Sequence, residues 1–385
     1  MDTHTIDDQA GGALPPRANP ELIGHEAAEA ALLDMHAAGR LPHALLICGP
    51  RGIGKATLAF RLARFLFVQA EETAASSRGG GLFGDAAPAA AAPSTLHVPP
   101  EHPAFRRVAA SGHADLMTVE RGVDPRRKRA RAEIVVDDTR SIAGFLHLTS
   151  AENGWRIVVV DSADEMNRNA ANALLKILEE PPKRALLLLV SHAPGRLLPT
   201  IRSRCRKLML RALPDADVER LLARHRPDLT PGDAAALARL AAGSIGDALA
   251  LAEVGGLDLY RAMLALLMPL PGLDAVALHG FAERLARPDA DAAYRAVTEL
   301  LPGWLARMVA LAGGARDGSG AGGDRGEIVS GEHAAMRRLA ARRGLDQWVE
   351  VWEKINRSFA QADSVNLDRK QVVMNAFFAL EGAAR

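Results

Sequence analysis

The amino-acid sequence predicts an α/β domain built on a parallel sheet, followed by an all-helical C-terminal part. Short unbroken apolar runs alternate with helical patterns over roughly the first 210 residues, as in strands that are covered on both faces. A glycine-rich loop joins the first run to an amphipathic helix, which is the first half of a βαβ unit. After Leu213 only helical spacing remains. The chain is therefore predicted to be α/β, then small helical, then larger helical.

Composition limits the class of protein before any motif is considered. The 385 residues are 48% apolar and include 47 Lys+Arg and 46 Asp+Glu, for a formal charge of +1. This length suggests two or three globular domains. A chain that binds nucleic acid by bulk electrostatics usually carries a clear basic excess. Any DNA contact is therefore expected from a local patch.

The N-terminal region predicts a tail that precedes the first helix. Residues 1–18 mix Gly, Pro and acidic residues without apolar periodicity, which predicts a flexible tail and no signal peptide. Ordered structure is expected from Asn19, with helical spacing from Glu21 to Ala38. No run of about 18 apolar residues occurs, so no membrane span is predicted.

A phosphate-binding loop is predicted after the first strand, Ala44–Cys48. Gly49, Gly52 and Gly54 would let backbone N–H groups turn toward phosphates, and Lys55 would add a positive charge at the start of a helix. The strand–loop–helix context indicates a nucleotide-binding ancestry.

The hydroxyl that normally follows the loop lysine is missing. Position 56 is Ala, where a working loop has a Ser or Thr that ligates Mg²⁺. Thr57 carries a hydroxyl one position later, and one residue on a helix turns a side chain by about 100°. The site is therefore predicted to lack a metal ligand.

Two segments beyond this helix are predicted to be loops. Residues 72–95 have low complexity and suggest an inserted loop. Residues 121–132 contain the chain's dense basic run, which is interpreted as a mobile solvated loop, with a DNA or acidic-partner contact left open. From Ile134 an extended piece is expected to enter a helix, capped around Asp137, that runs to about Leu148.

The next strand candidate, Arg156–Val160, ends in Asp161. A carboxylate here can serve the metal of an NTPase, and a glutamate usually follows to polarise the attacking water. This chain has Ser162 instead, which cannot accept that proton. Asp164 and Glu165 are interpreted as solvated helix-cap acids.

The remaining elements complete the three-domain prediction. A helical pattern from Asn169 to Glu180 and a strand candidate at Ala185–Val190 end the α/β part. The predicted domains are an α/β domain over 19–210, a small helical unit over 211–254 and a larger helical domain over 255–385.

The run from Asp161 to Pro182, joined to a downstream Ser203-Arg204-Cys205, resembles bacterial clamp-loader subunits of the AAA+ class. The resemblance continues at Ile23-Gly24-His25 near the start and at Asn366–Lys370 near the end. It implies an AAA+ P-loop domain, a helical lid over 211–254 and a collar over 255–385 that assembles a ring of subunits.

The resemblance also implies roles for individual residues. Arg204, with Ser203 beside it, matches the arginine finger that reaches the ATP of a neighbouring subunit, and Ser191 matches a polar sensor position. Gly246 stands where active members carry a basic lid residue. The cysteines of a zinc module found in related subunits are missing, so no zinc or other metal is expected.

We therefore interpret the chain as a stator that donates Arg204 and does not hydrolyse ATP itself. Gly49, Gly52, Gly54, Lys55, Thr57, Asp161 and Ser191 would form a vestigial nucleotide site, and binding of ATP/Mg²⁺ without hydrolysis stays open. Implied partners are the delta and gamma/tau subunits of a clamp loader, the sliding clamp and primer–template DNA, in the cytoplasm and without a membrane. Two alternatives stay open: an active AAA+ ATPase motor of the clamp loader or of a related DNA-processing enzyme, and a P-loop kinase, against which the helical C-terminal part and Ser-Arg-Cys argue.

Overall fold

In a computed structural model of the chain, residues 14–79, 93–124, 129–131, 133–151, 154–314, 326–365 and 367–385 are described. The chain divides into two compact units, Met1–Ala212 and Leu213–Arg385. The first unit is α/β and the second is helical. The predicted α/β class with a parallel sheet, followed by helices, is confirmed.

The first unit alternates strands and helices along the described chain. Its elements are α1 (Glu26–Ala37), β1 (Ala44–Cys48), α2 (Lys55–Gly79), α3 (Pro103–Ala109), β2 (Leu116–Val119), β3 (Val123–Asp124), β4 (Arg129–Ala130), α4 (Val136–His147), β5 (Arg156–Val160), α5 (Arg168–Glu179), β6 (Ala185–Ser191), α6 (Pro199–Arg204) and β7 (Arg206–Met209). Two single turns of 3₁₀-helix cover Ala163–Glu165 and Pro194–Arg196.

Five strands form one sheet in the order β2-β5-β6-β1-β7, and every neighbouring pair is parallel. Strand β1 lies between β6 and β7, with Cys48 opposite Ser191 on one side and Met209 on the other. Because the strands are parallel, the loop after β1 and the turns after β5 and β6 meet at the carboxyl edge of the sheet.

Two apolar layers cover the faces of this sheet. Alternate residues of β1 point to opposite faces, so Leu45 packs with α2 and α3 residues such as Leu62 and Phe105. Leu46 packs on the other face with Leu174 of α5 and Ile142 of α4. Strands buried on both faces explain the unbroken apolar runs in the sequence.

The second unit has helices α7 (Asp215–His225), α8 (Pro231–Leu240), α9 (Ile245–Glu253), α10 (Gly256–Leu267), α11 (Ala275–Leu285), α12 (Asp291–Ala312), α13 (Glu332–Ala340), α14 (Leu345–Val365) and α15 (Arg369–Ala384). One core joins α10 to α15 and includes Tyr260, Trp304 and Trp348. The division of this unit into lid and collar stays a prediction. Within the described ranges, no helix is long and apolar enough to cross a membrane.

Three element boundaries differ from the sequence prediction. Helix α1 begins at Glu26, five residues after the predicted start. Helix α4 begins at Val136 with Asp138 in its first turn, where this carboxylate accepts the Val135 N–H. Helix α2 continues to Gly79, so residues 72–79 of the predicted loop are helical. Their Ala, Glu and Arg residues favour a helix once α2 has started. Residues 80–92 of that insertion, and 125–128 and 132 of the basic run, lie outside the described part.

Candidate functional site

The loop between β1 and α2 has the backbone conformation that its glycines predict. Gly49, Gly52 and Gly54 have φ values of 153°, 67° and 98°. A Cβ on Gly49 would lie 2.5 Å from the Leu210 carbonyl oxygen, and one on Gly54 would lie 3.3 Å from Leu22 Cδ1. All three φ values disfavour a side chain, and at Gly49 the Leu210 backbone also leaves no space for one.

Lys55 is the first residue of α2, and its side chain is 4% exposed. Its ammonium donates a hydrogen bond to the Pro50 carbonyl, so it folds back over its own loop. Burial lowers the pKa of Lys55 to about 8, against the opposing effect of the Asp161 and Asp164 carboxylates. The lysine ammonium therefore lies at the loop that follows β1, and its role as a phosphate-binding group stays a prediction.

The loop fits a phosphate better than it fits a metal–nucleotide complex. Its glycines and Lys55 supply the parts that receive phosphate oxygens. Ala56 offers only a methyl group, and Thr57 is buried in α2. The hydroxyl that would ligate Mg²⁺ is therefore missing from the position where the chemistry requires it.

Asp161 and Ser162 follow β5 directly at the same edge. The Asp161 backbone N–H donates to the Val119 carbonyl, which ties the turn to the end of β2. Ser162 has a left-handed backbone, with φ 62° and ψ 53°, which is uncommon for a residue other than glycine. Its hydroxyl lies 3.0 Å from His192 Nε2. A serine–histidine pair thus occupies the place where an ATPase has its glutamate.

His192 was not identified from the sequence. It follows β6, thirty residues after Ser162, and no local pattern links two positions so far apart. Burial lowers the pKa of His192. The positive charges of Lys55, Arg51 and Arg121 lower this pKa further, whereas the Asp164 carboxylate raises it. The imidazole is therefore disposed toward its neutral form.

The interpretation of Asp164 as a solvated cap acid is wrong. Its side chain is 6% exposed, and it accepts the His192 backbone N–H at 2.9 Å. Burial alone would raise the pKa of Asp164, but the neighbouring Ser191 hydroxyl and the hydrogen bond from the His192 backbone N–H outweigh it and lower the pKa. Ser191 ends β6 and is fully buried. Adjacent strands bring these residues together, which local sequence does not show.

Glu165 is also not a solvated cap acid, since it pairs with a residue of the basic run. Its Oε2 lies 2.9 Å from Nε of Arg121, and its side chain is mostly buried. Arg131 lies 3.8 Å from Asp138 of α4. The described ends of the basic run are therefore held by carboxylates of the α/β unit.

A second histidine contacts the phosphate loop from the N-terminal side. His25 Nε2 lies 2.6 Å from the Ile53 carbonyl oxygen, and the ring is buried. His25 directly precedes α1, but its side chain makes no capping bond. In the helical unit, Gly246 stands near the start of α9, where Ser244 Oγ accepts the Asp247 N–H as the helix cap. Across the described part of the chain, no three His, Cys, Asp or Glu residues are grouped as metal ligands.

Arg204 ends α6 and lies at the surface of the first unit. Its side chain is 36% exposed and lies 2.8 Å from Glu179 Oε1 through Nη2. Its Nη1 donates to the Thr200 carbonyl at 3.1 Å. The Ser203 hydroxyl also donates to Thr200, at 3.1 Å. Cys205 between Arg204 and β7 is buried, and burial raises its pKa to about 11.

The predicted site residues form two groups, one at the carboxyl ends of the strands and one at their amino ends. The phosphate loop, Asp161 and Ser191 lie at the carboxyl edge. Arg204 precedes β7, whose Arg206 pairs with Leu45 at the amino end of β1. The three residue steps from Arg206 to Met209 alone span about 10 Å. Arg204 therefore lies at the opposite end of the strands from the phosphate loop of its own chain.

Comparison with known proteins identifies similarity to subunits of DNA polymerase III. Residues 95–214 match the model of a family described as "DNA polymerase III, delta subunit". The chain is 38% identical over 192 residues to DNA polymerase III subunit delta' of Pseudomonas aeruginosa, which is 46% of this chain and 50% of the relative. It is 29% identical over 295 residues to subunit gamma/tau of Mycobacterium bovis, 75% of this chain and 46% of the relative.

The chain spans about half the length of these curated relatives. Among solved structures, it is similar to a gamma subunit-related protein of DNA polymerase III from Thermotoga maritima, with 18% identity and a TM-score of 0.39, covering 92% of this chain and 100% of the other. The family match contains Asp161, Ser191, Ser203 and Arg204, and it begins after the phosphate loop.

Proposed function

Because this chain is related to the delta' and gamma/tau subunits of DNA polymerase III, the clamp-loader family, we propose that it acts as a stator. In this role it does not hydrolyse ATP and supplies Arg204 to the nucleotide of a neighbouring subunit. The observation that carries the proposal is that Arg204 precedes β7 while its own phosphate loop follows β1, so the length of these paired strands separates the two.

The position of Arg204 supports action on another chain. A guanidinium that serves its own nucleotide would need to reach the carboxyl edge, but Arg204 is exposed at the amino edge. A trans arginine finger is worth about 10³ to 10⁵ in rate in GTPase systems, because it stabilises charge that develops on the transferred phosphate.

The phosphate-loop site supports the absence of hydrolysis. Ala56 removes the metal-binding hydroxyl, and Ser162 replaces the carboxylate that would orient water. The Ser162 hydroxyl is engaged with His192, and Lys55 is engaged with the Pro50 carbonyl. Nucleotide phosphates could still bind at the glycine loop, where ATP with Mg²⁺ would lack one protein ligand. We propose binding without turnover and no zinc site.

The proposed partners follow from the relatives' names. Relatives of the chain are subunits delta' and gamma/tau, and we propose that the chain assembles with delta and gamma/tau subunits in the cytoplasm. Through that complex it would act on the sliding clamp and primer–template DNA. Its helical unit, Leu213–Arg385, would contribute the collar of the ring.

The test is reconstitution of the loader with Arg204→Ala, alongside Arg206→Ala as the matched control. Arg206 is exposed at the same edge, two residues away. We expect the Arg204→Ala protein to assemble normally, with a DNA-stimulated ATPase rate and a clamp-loading rate at least tenfold below those of wild type. The Arg206→Ala protein should keep both rates. An unchanged ATPase rate in Arg204→Ala would remove the finger from the proposal.

The competing function is an active motor, and the Ser162–His192 pair is the observation that favours it. A neutral imidazole can accept a proton from water, as the missing glutamate would. We expect the purified chain to show no ATPase activity above background. Activity that is lost in both Lys55→Ala and His192→Gln would instead identify a motor that uses His192 as its base.

A further inference from the structure

Glu179 is the residue that holds Arg204 in the isolated chain. It is the last residue of α5, and its Oε1 lies 2.8 Å from Nη2 of Arg204. The two side chains come from different helices, α5 and α6, which pack together at the amino edge of the sheet. The pair therefore links two elements at the point where the proposed finger leaves the fold.

A carboxylate at this position is unfavourable without a cation. The last carbonyls of a helix carry partial negative charge, so an acidic residue in the last turn is destabilising. Glu179 and Glu180 both stand at the end of α5. The Arg204 guanidinium offsets this cost, and α5 in turn gives the guanidinium a fixed place to bind.

The donors of Arg204 are only partly used by these contacts. A guanidinium has five N–H donors. One on Nη2 faces Glu179 and one on Nη1 donates to the Thr200 carbonyl. The remaining donors leave a second group, such as a phosphate oxygen, able to bind while Glu179 stays in place.

The pair has the strength of a positioning contact. Exposed ion pairs contribute little to stability, and both side chains here are partly exposed, at 36% and 50%. Such a contact narrows the rotamers of a long side chain without trapping it. A narrower set of rotamers brings the finger closer to its reactive geometry before the neighbour arrives.

From these contacts we infer that Glu179 is a positioning residue for Arg204, which orients the guanidinium toward a neighbouring subunit's nucleotide phosphate. The inference rests on the proposed function, since it requires that Arg204 act as a finger. Glu179 itself does not touch the nucleotide.

The experiment measures kcat and KM for ATP in the loader reconstituted with the delta and gamma/tau subunits, with primed DNA and clamp present. The variants are Glu179→Ala, Glu179→Gln, Arg204→Ala and the double variant Glu179→Ala/Arg204→Ala. Glu180→Ala is the matched control, because Glu180 caps the same helix and is exposed. Gel filtration and thermal unfolding verify that each variant folds and assembles.

We expect Glu179→Ala to lower kcat about two- to fivefold with KM unchanged, the range that an exposed ion pair provides. A loss in kcat alone identifies an interaction that acts in the transition state. Glu179→Gln keeps an oxygen acceptor for Nη2, so it should recover at least half of the wild-type rate. In the Arg204→Ala background, Glu179→Ala should cause no further loss, because it acts through the arginine.

Two results overturn the inference while the proposed function stands. One is a wild-type rate in Glu179→Ala combined with a deficient Arg204→Ala. The other is a loss of kcat, when Glu179→Ala is added to Arg204→Ala, that is as large as the loss that Glu179→Ala causes in the wild type. A wild-type rate in Arg204→Ala itself would overturn the proposed function and, with it, the role of Glu179.

Discussion

Replacement of the buried lysine of the phosphate loop should stabilise the fold while it disables the loop. Lys55 is 4% exposed, and its pKa is lowered to about 8 by burial. Lys55→Met keeps an unbranched side chain of similar length and removes the charge. Because the ammonium is disfavoured in the folded state, its removal should raise the free energy of unfolding at pH 7 and abolish phosphate binding.

The magnitude follows from the displaced pKa. A folded pKa of about 8 lies about 2.5 below the ordinary 10.5, and at about 1.36 kcal/mol per unit this corresponds to about 3 kcal/mol at pH 7. Loss of the hydrogen bond to the Pro50 carbonyl subtracts about 1 kcal/mol. We therefore expect a net gain on the order of 2 kcal/mol.

The pH dependence has a defined sign. Between pH 8 and 10.5 the unfolded lysine still holds its proton while the folded lysine has lost it. The unfolded state then binds more protons, so the wild-type free energy of unfolding rises with pH across this window. The advantage of Lys55→Met should be full below pH 8 and should shrink by about 2 kcal/mol by pH 9.5.

The assay can follow the α/β unit alone. Both cysteines of the chain, Cys48 and Cys205, are buried in that unit. Pulsed alkylation of Cys48 along a urea gradient, read by mass spectrometry at pH 7 and 9.5, gives the free energy of unfolding of this unit. Lys183→Met, at an exposed position, is the control and should change it by less than about 0.5 kcal/mol. Equal stability of Lys55→Met and wild type at pH 7, with an unchanged pH dependence, would refute the reasoning.

Two further predictions concern packing in the α/β unit. Gly49→Ala should destabilise the α/β unit by about 2 kcal/mol or more, because its Cβ would lie 2.5 Å from the Leu210 carbonyl oxygen; the same alkylation assay measures this, and a loss below about 0.5 kcal/mol would contradict it. For His113, burial lowers the pKa to about 4, so the stability that its neutral ring contributes should be present above pH 6.5 and lost as the pH falls toward 4. In the wild type the Asp115 N–H donates to His113 Nδ1, and His113→Asn keeps an acceptor for it. The variant should therefore lose less stability in acid. Urea titrations in which the free energy of unfolding falls equally from pH 7 to pH 5 in both proteins would argue against this.

Much of the fold could be predicted because its signals are local. The apolar run Ala44–Cys48, the glycines after it and the run Arg156–Val160 each identify an element by short-range spacing. Helix boundaries were less predictable. Helix α2 extends to Gly79 through residues whose sequence is typical of a loop. Nucleation is the unfavourable step of helix formation, and here it takes place earlier in α2.

The site was predictable in its residue types and not in its contacts. Gly49, Lys55 and Asp161 were identified from residue type and short-range spacing, and they follow β1 and β5 at the carboxyl ends of strands in the same parallel sheet. Asp164 was expected to be solvated, but burial against Ser191 and His192 makes it part of the site. The His25 contact to the Ile53 carbonyl had no sequence signal either. Each of these contacts joins residues about 28 to 30 positions apart.

The sequence by itself determined the class of fold, the order of its elements and the losses at Ala56 and Ser162, because each depends on residue type and on spacing within a few positions. Only the tertiary structure decided that Arg204 lies at the opposite end of the strands from its own loop and against Glu179. The physical reason is the parallel register of β1 and β7, which sets the start of β7 beside the start of β1. That register arises from packing between distant segments, and no local pattern encodes it.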